Sequence, residues 1–479
     1  MSIVTNQPLQ WRNANHMEQQ MLEALQGNIL KGHGRPETVN IFFTLDPTKA
    51  LESRRVLREI GNYHLTSAYQ QLLETDAYQK SGASGDTFVA AFLSFTGYEA
   101  LESESLAPTG EPQFTDGMKH PNSLLAVSDK LADWEAHFKG RIDGMILIGD
   151  MVRNRVRLKR DAIADLLEQC NAKIVHEQIG SAIKDKADNG IEHFGYVDGR
   201  SQPLMLVEDI DKEARTAGVA RWDPQFNIDA ALVKDLPGSP DAISFGSYFI
   251  FRKLEQDVHG FKLREEVLAD KLGLKGEDRE RAGALVVGRF EDGTPVTLSD
   301  EAKGLNPPND FDYTGDAGSR CPFQAHIRKV NPRGGGPGGA VDERKRIMPR
   351  RGIPYEDTPR LVHPSGLPAA ETLAEFKHDV APLLPKKGVG LLFMAYNVSL
   401  ARQFVFTQAS WANNAGFQAP NTGIDPIIGQ GVVAGPGPQW SKDWDDPASV
   451  KQNFDFHGFV TMRGGEYFFA PSLTFFKTL

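Results

Sequence analysis

The order of short apolar runs in the first third of the chain restricts its fold more than any other feature. Residues 39–45 (VNIFFTL), 88–95 (FVAAFLSF), 144–151 (GMILIGDM) and 173–179 (KIVHEQI) are rich in β-branched and aromatic residues, which predicts four strands. Between the first two, Leu51, Val56, Leu57, Ile60 and Leu65 recur at helical spacing over 49–73, with Asp46-Pro47-Thr48 as the helix start. Between the last two, Leu158, Ile163, Leu166 and Leu167 mark a second helix over 154–170. A short helix is expected from Tyr98, and the loop-rich stretch 102–140 is expected to be anchored by Trp134 and Phe138. The order β-α-β-β-α-β predicts an α+β unit with an antiparallel sheet and helices packed on it, the ferredoxin-like arrangement.

The second half repeats the theme less cleanly. Strands are expected at 247–254, 325–330, 388–396 and 459–462, the last with a hairpin partner at 467–470. Helices are expected at 256–272, 372–380 and 400–413. The stretches 275–320 and 333–345 read as long irregular insertions, and loops of that length are usually functional or mobile. A boundary within 184–194 divides the chain into an N-terminal domain, 1–187, and a C-terminal domain, 188–479.

Composition removes several function classes. Of the 479 residues, 40% are hydrophobic and 24% charged, which excludes wholesale disorder, a collagen-like repeat and a coiled coil. A net charge of −10 argues against sequence-independent nucleic-acid binding, which needs a basic surface. Cys170 and Cys321 are the two cysteines, so no disulfide framework supports the fold. The first residues, MSIVTNQPLQWRNANHMEQQ, lack a basic region followed by an apolar one and lack a twin-arginine pair. No apolar run approaches the roughly 20 residues of a membrane span. The expectation is a cytoplasmic protein without nucleic-acid or membrane partners; the sequence does not set its oligomeric state.

The glycine run at 334–339 (GGGPGG) is not a phosphate cradle, because no Gly-Lys-Ser/Thr follows and Pro337 interrupts it. His-Glu-x-x-His, Cys-x-x-Cys and Gly-x-Ser-x-Gly patterns are missing, so zinc hydrolysis and acyl-enzyme chemistry lack support. Three segments remain: 193–203 (HFGYVDGRSQP), 325–333 (AHIRKVNPR) and 350–355 (RRGIPY). Each alone has an ordinary explanation, respectively an Asp-Gly turn, a satisfied histidine beside a strand and an exposed basic turn.

Taken together and in this order, the three segments resemble the signature of the dye-decolourising peroxidases, a haem peroxidase family. Gly195-x-x-Asp198-Gly199 matches the family's Gly-x-x-Asp-Gly motif, His326 its haem-ligating histidine and Arg350 its distal arginine. Further matches at 26–35, 246–254, 283–295, 392–411 and 464–472 extend the likeness over nearly the whole chain and look most like the larger bacterial branch. The resemblance implies two ferredoxin-like α+β domains with long insertions, and one haem b held mainly in the C-terminal half by His326 as the metal ligand. It implies hydrogen peroxide as oxidant, an iron-oxo intermediate, and bulky dyes and phenolics as reductants. Gly352 departs from those branches that place an asparagine there.

These residue types suit that chemistry. A neutral imidazole can occupy one axial position of haem iron and leave the other open. A carboxylate on its second nitrogen makes it more basic, and Asp455 is the candidate. Asp198 can shuttle a proton between the peroxide oxygens, and Arg350, or Arg351 in the same turn, can stabilise charge on the departing oxygen. The resemblance implies activity that is best at acidic pH. Arg351, Arg328 and Arg333 are candidates for the haem propionates, and Phe393 and Phe404 for the haem walls. Trp222, Trp411, Trp440 and Tyr313 are available by type to relay electrons from donors too large to enter. Other readings are a haem carrier or haem-iron-releasing protein on the same fold, and an interaction protein without haem. The presence of both Asp198 and Arg350 favours the peroxidase, because binding alone needs neither.

Overall fold

A computed structural model describes residues 3–236, 243–304, 308–431 and 437–479. Eight strands form one continuous antiparallel path: β1 Glu37–Thr44, β2 Phe88–Leu93, β3 Gly144–Asp150, β4 Lys173–Ser181, β5 Phe245–Gln256, β6 Ile353–Glu356, β7 Val389–Asn397 and β8 Val460–Ala470. Their spatial order is β4-β1-β3-β2-β8-β5-β7-β6. Within each half the fourth strand lies beside the first, then come the third and the second. The second half therefore repeats the ferredoxin-like order of the first.

The halves are joined at a narrow seam, the single pair Leu93↔Phe469 between β2 and β8. Side chains do more of the joining: Phe92 stacks on Phe249 with ring centroids 4.1 Å apart, and Phe42 meets Phe251 edge-on at 4.8 Å. At the other end of the order, β4 and β6 lie against each other. The Gln178 amide donates to Asp357 at 3.0 Å, and a Cβ on Gly180 would stand 2.7 Å from Ile353 Cγ2. The sheet thus curls until its two ends meet. Every residue of β2 and β3 is buried, because both faces of these central strands are covered. The helices Ala50–Tyr63 and Arg153–Glu168 pack outside the first half, and the C-terminal helix Leu473–Thr478 packs on the former.

Several expectations are revised. The helix expected over 49–73 is two, Ala50–Tyr63 and Ala68–Ser81. The chain opens at Thr66, whose N–H reaches Val89 O and whose carbonyl accepts from Gly27 N, so backbone bonds to other segments replace helical ones. Leu51 and Leu158, placed on apolar faces by periodicity, are exposed. The expected strand at 325–330 is a helix, His326–Val330. The β-branched Ile327 and Val330 look strand-like, but Arg328 and Lys329 between them turn inward, each onto backbone carbonyls. The expected hairpin at 459–470 is one strand, β8, with a bulge between Met462 and Gly464. Gly464 is needed there for space as well as for its φ of +149°, since a Cβ would sit 2.3 Å from the Phe138 ring. The basic turn at 350–355 contains β6, a four-residue edge strand too short to signal itself beside Pro354. Within the stretch expected to be irregular, Glu280–Val287 is helical, and residues 305–307 lie outside the described residues. Among the described residues no helix is long and apolar enough to cross a membrane.

Candidate active site

A cavity of about 890 Å³ opens between the C-terminal half and the N-terminal loop 28–36. His326, Asp198, Arg350, Arg333, Arg351, Phe393 and Phe404 all line it. The fold therefore gathers residues from loops, a short helix, a strand approach, β7 and the helical turn Ala401–Val405 that are up to 206 positions apart (Asp198 to Phe404).

His326 begins the helix His326–Val330 and keeps about a quarter of its side chain exposed, toward the cavity. Its Nδ1 is 2.8 Å from Asp425 Oδ2 and 3.1 Å from Oδ1, so this nitrogen donates and Nε2 is the one left for a ligand. Asp425 is fully buried, and its Oδ1 also accepts from Ile427 N at 2.8 Å and Ile428 N at 2.9 Å. Burial pushes this carboxyl up, but the His326 charge and hydrogen bond and the two backbone N–H groups outweigh burial and hold it below the usual range. This corrects the expectation for Asp455, which is nearly half exposed and pairs with His457 at 2.7 Å instead. Asp425 left a sequence signal: it is an acid set in an apolar run, Ile424-Asp425-Pro426-Ile427-Ile428.

Asp198 ends a tight loop. Its N–H donates to Gly190 O at 2.9 Å, and its Oδ1 accepts from Gly199 N at 2.6 Å. Gly195 supplies the φ of +98° that turns the chain there, and Glu192 fastens the loop by accepting from Phe194 N at 2.8 Å and Tyr196 N at 3.1 Å. The Asp198 side chain is exposed to the open cavity.

The neighbouring arginines divide their roles. Arg350 Nη2 donates to Arg200 O at 3.2 Å, and its N–H is fixed by Gln202 Oε1 at 3.0 Å. Burial lowers Arg350, and the nearby Asp198 charge opposes that shift. Arg351 is committed elsewhere: Nε donates to Asn28 O at 2.7 Å, Nη1 to Arg350 O at 2.8 Å and Nη2 to Ile29 O at 2.9 Å. Burial pushes it down to about 10. It clamps the N-terminal loop to the cavity wall, which it also lines.

Arg333, with φ +46°, donates from Nη1 to the carbonyls of Asn309 and Phe311, and from Nη2 to Ser201 Oγ and Asn309 Oδ1. Arg289 shares the last two acceptors, at 3.2 and 2.7 Å. Burial, with mutual repulsion, pushes Arg333 down to about 9, and burial pushes Arg289 down to about 10. Both line the cavity, and neither forms an ion pair among the described residues, so this wall carries uncompensated positive charge. Sequence reading missed Arg289. Arg328 does not belong to this group: it is buried away from the cavity, paired with Asp316 at 3.0 Å and set between the Tyr313 and Phe323 rings. Phe393 and Phe404 face each other with centroids 6.0 Å apart. Trp222, Trp411, Trp440 and Tyr313 are all buried.

No family model matches the chain. The multifunctional dye peroxidase DyP2 of an Amycolatopsis species is 42% identical over 499 aligned residues, covering all of both chains. Peroxidase 2 of Mycetinis scorodonius is 30% identical, over 95% of this chain and 86% of its own. Among solved structures, Amycolatopsis DyP2 superposes with a TM-score of 0.91 at 41% identity over all of both chains. A DyP-type peroxidase of Anabaena superposes with a TM-score of 0.87 at 36% identity, over all of this chain and 98% of its own. Identity of 42% to a dye peroxidase along the whole of both chains, with the same fold throughout, means that this chain belongs to the dye-decolourising peroxidase family and is a peroxidase.

Proposed function

We propose that the chain binds haem b, one per chain, in the 890 Å³ cavity, and uses it to oxidise bulky aromatic substrates such as dyes and phenolics with hydrogen peroxide. The observation that carries this reading is the His326–Asp425 pair lining the same cavity as Asp198 and Arg350. The residues present fit the group. The volume lies within the ~300–1,000 Å³ of ligand and cofactor sites. His326 offers a nitrogen on a ring already oriented by a carboxylate, Arg333 and Arg289 offer positive charge to propionates, and Phe393 and Phe404 offer apolar wall. When bound, haem supplies the redox centre that peroxide oxidises and aromatic donors re-reduce.

The chain's own residues do the rest. Asp198 takes a proton from hydrogen peroxide at a carboxylate oxygen and returns it to the departing oxygen, which leaves as water. Arg350, held by Gln202 and Arg200, stabilises negative charge on that oxygen. Asp425 keeps Nδ1 of His326 as a donor and so makes Nε2 the stronger base. The domains are taken as 1–187 and 188–479, with most of the contacts to haem from the second. Cytoplasmic residence belongs to the same reading and is supported by two free, buried cysteines.

The test is steady-state dye oxidation by the haem-loaded protein beside Asp198→Asn, Arg350→Leu and His326→Ala. The reading expects the first two to load haem normally and to react slowly with peroxide, and the third to lose its normal haem spectrum. Unchanged peroxide reactivity in the first two would remove their assigned roles.

A further inference from the structure

Lys329 lies one helical turn beyond His326 and is completely buried. Its Nζ donates to Gly423 O at 2.6 Å and Asn414 O at 2.8 Å, and stands 5.9 Å from the centre of the Phe417 ring. Asp425 is the charge that acts on it. Full burial of an ammonium is costly; burial pushes Lys329 down to about 8, with Asp425 partly opposing. An apolar side chain would fill this space without that cost.

The ammonium does what an apolar side chain cannot. Asn414 and Gly423 stand at the two ends of a loop that Gly423 N→Ala415 O (2.9 Å) and Asp425 N→Ala412 O (2.7 Å) draw closed. Lys329 spans the two ends and ties both to the helix that begins with His326. Gly423 is two residues before Asp425, so the tie is applied next to the carboxylate that holds the imidazole.

We propose that Lys329 is a positioning residue, bracing the 412–425 loop against the His326 helix so that Asp425 stays on Nδ1. The proposal rests on the reading of His326 as the iron ligand. It predicts that the strength of the iron–imidazole bond depends on a side chain that touches neither iron nor imidazole.

The experiment is resonance Raman spectroscopy of the ferrous haem-loaded protein, reading the iron–histidine stretching frequency, together with the rate of haem release. Wild type is compared with Lys329→Met, which removes charge and donors, Lys329→Gln, which keeps a neutral donor, and Asp425→Asn. The expected result is a lower frequency in Lys329→Met, toward that of Asp425→Asn, with roughly 3- to 10-fold faster haem release, and an intermediate Lys329→Gln. A wild-type frequency and release rate in Lys329→Met overturns the brace. If that variant does not fold, Lys329→Gln decides in the same way. A wild-type band retained in His326→Ala overturns the ligand assignment itself, an outcome distinct from failure of the brace.

Discussion

Replacing Asp425 by asparagine tests the proposed role of the His326–Asp425 pair on atoms that are already fixed. Oδ1 accepts from two backbone N–H groups, Ile427 and Ile428, at 2.8 and 2.9 Å. The asparagine oxygen must stay in that position, because its amide nitrogen could not accept from either. The nitrogen therefore replaces Oδ2, the atom 2.8 Å from His326 Nδ1, and a donor faces a donor. The 2.8 Å bond to a charged acceptor is lost, leaving the longer 3.1 Å contact to a neutral Oδ1 already shared with two backbone N–H groups. A hydrogen bond to a charged group is worth roughly 1.5–3 kcal/mol, which at about 1.4 kcal/mol per decade is roughly 10- to 100-fold in affinity. That matches the ~10–100-fold usually lost when a metal ligand's hydrogen-bond partner is removed. The assay is haem transfer to excess of a haem-scavenging apoprotein, followed by absorbance. Asp425→Asn should release haem about 10- to 100-fold faster, with a melting temperature near wild type because both backbone donors remain satisfied. Haem release at the wild-type rate would refute the argument, because it would show that the carboxylate contributes nothing to the hold on iron.

Four further outcomes follow from the structure. Asp198→Asn should slow the reaction with peroxide by roughly 10²–10⁴, and Arg350→Leu by roughly 10²–10³, in stopped-flow mixing with haem content unchanged. Arg328→Met should leave Asp316 buried without its cation, lowering stability by about 3–5 kcal/mol in denaturant unfolding, while peroxide reactivity of the folded fraction stays at wild type. Burial, with the Asp198 charge adding, pushes Glu192 up to about 7, so the folded chain holds a proton there that the unfolded chain has released. Its contribution to stability therefore falls as pH rises from the ordinary 4.5 to 7, and Glu192→Gln should flatten that part of the thermal-melting profile.

The first half of the fold was legible because its strands are long, apolar and separated by helices with clear periodicity. The second half hides its repeat for local reasons. β6 is a four-residue edge strand inside a basic segment, and β8 carries a Gly464-Gly465 pair that reads as a turn but makes room for Phe138 and the β5 backbone. The site was legible where a motif carries it: His326, Asp198 and Arg350 come to one cavity. It was not legible where identity of type conceals difference of environment. Arg328, Arg333 and Arg351 are the same residue in one basic stretch, yet one pairs with Asp316, one lines the cavity without an acid, and one clamps the carbonyls of a loop three hundred positions away. Asp425 and Asp455 differ in the same way, one buried on the imidazole and one exposed beside His457.

The central claim is that His326 ligates haem iron in the cavity that also holds Asp198 and Arg350. The most direct measurement is the anomalous scattering of iron in crystals of the haem-loaded protein. The account predicts one iron peak in this cavity at coordination distance, about 2 Å, from Nε2 of His326, with Nδ1 still on Asp425. An iron peak outside the cavity, or one inside it bound by a side chain other than His326, would contradict it.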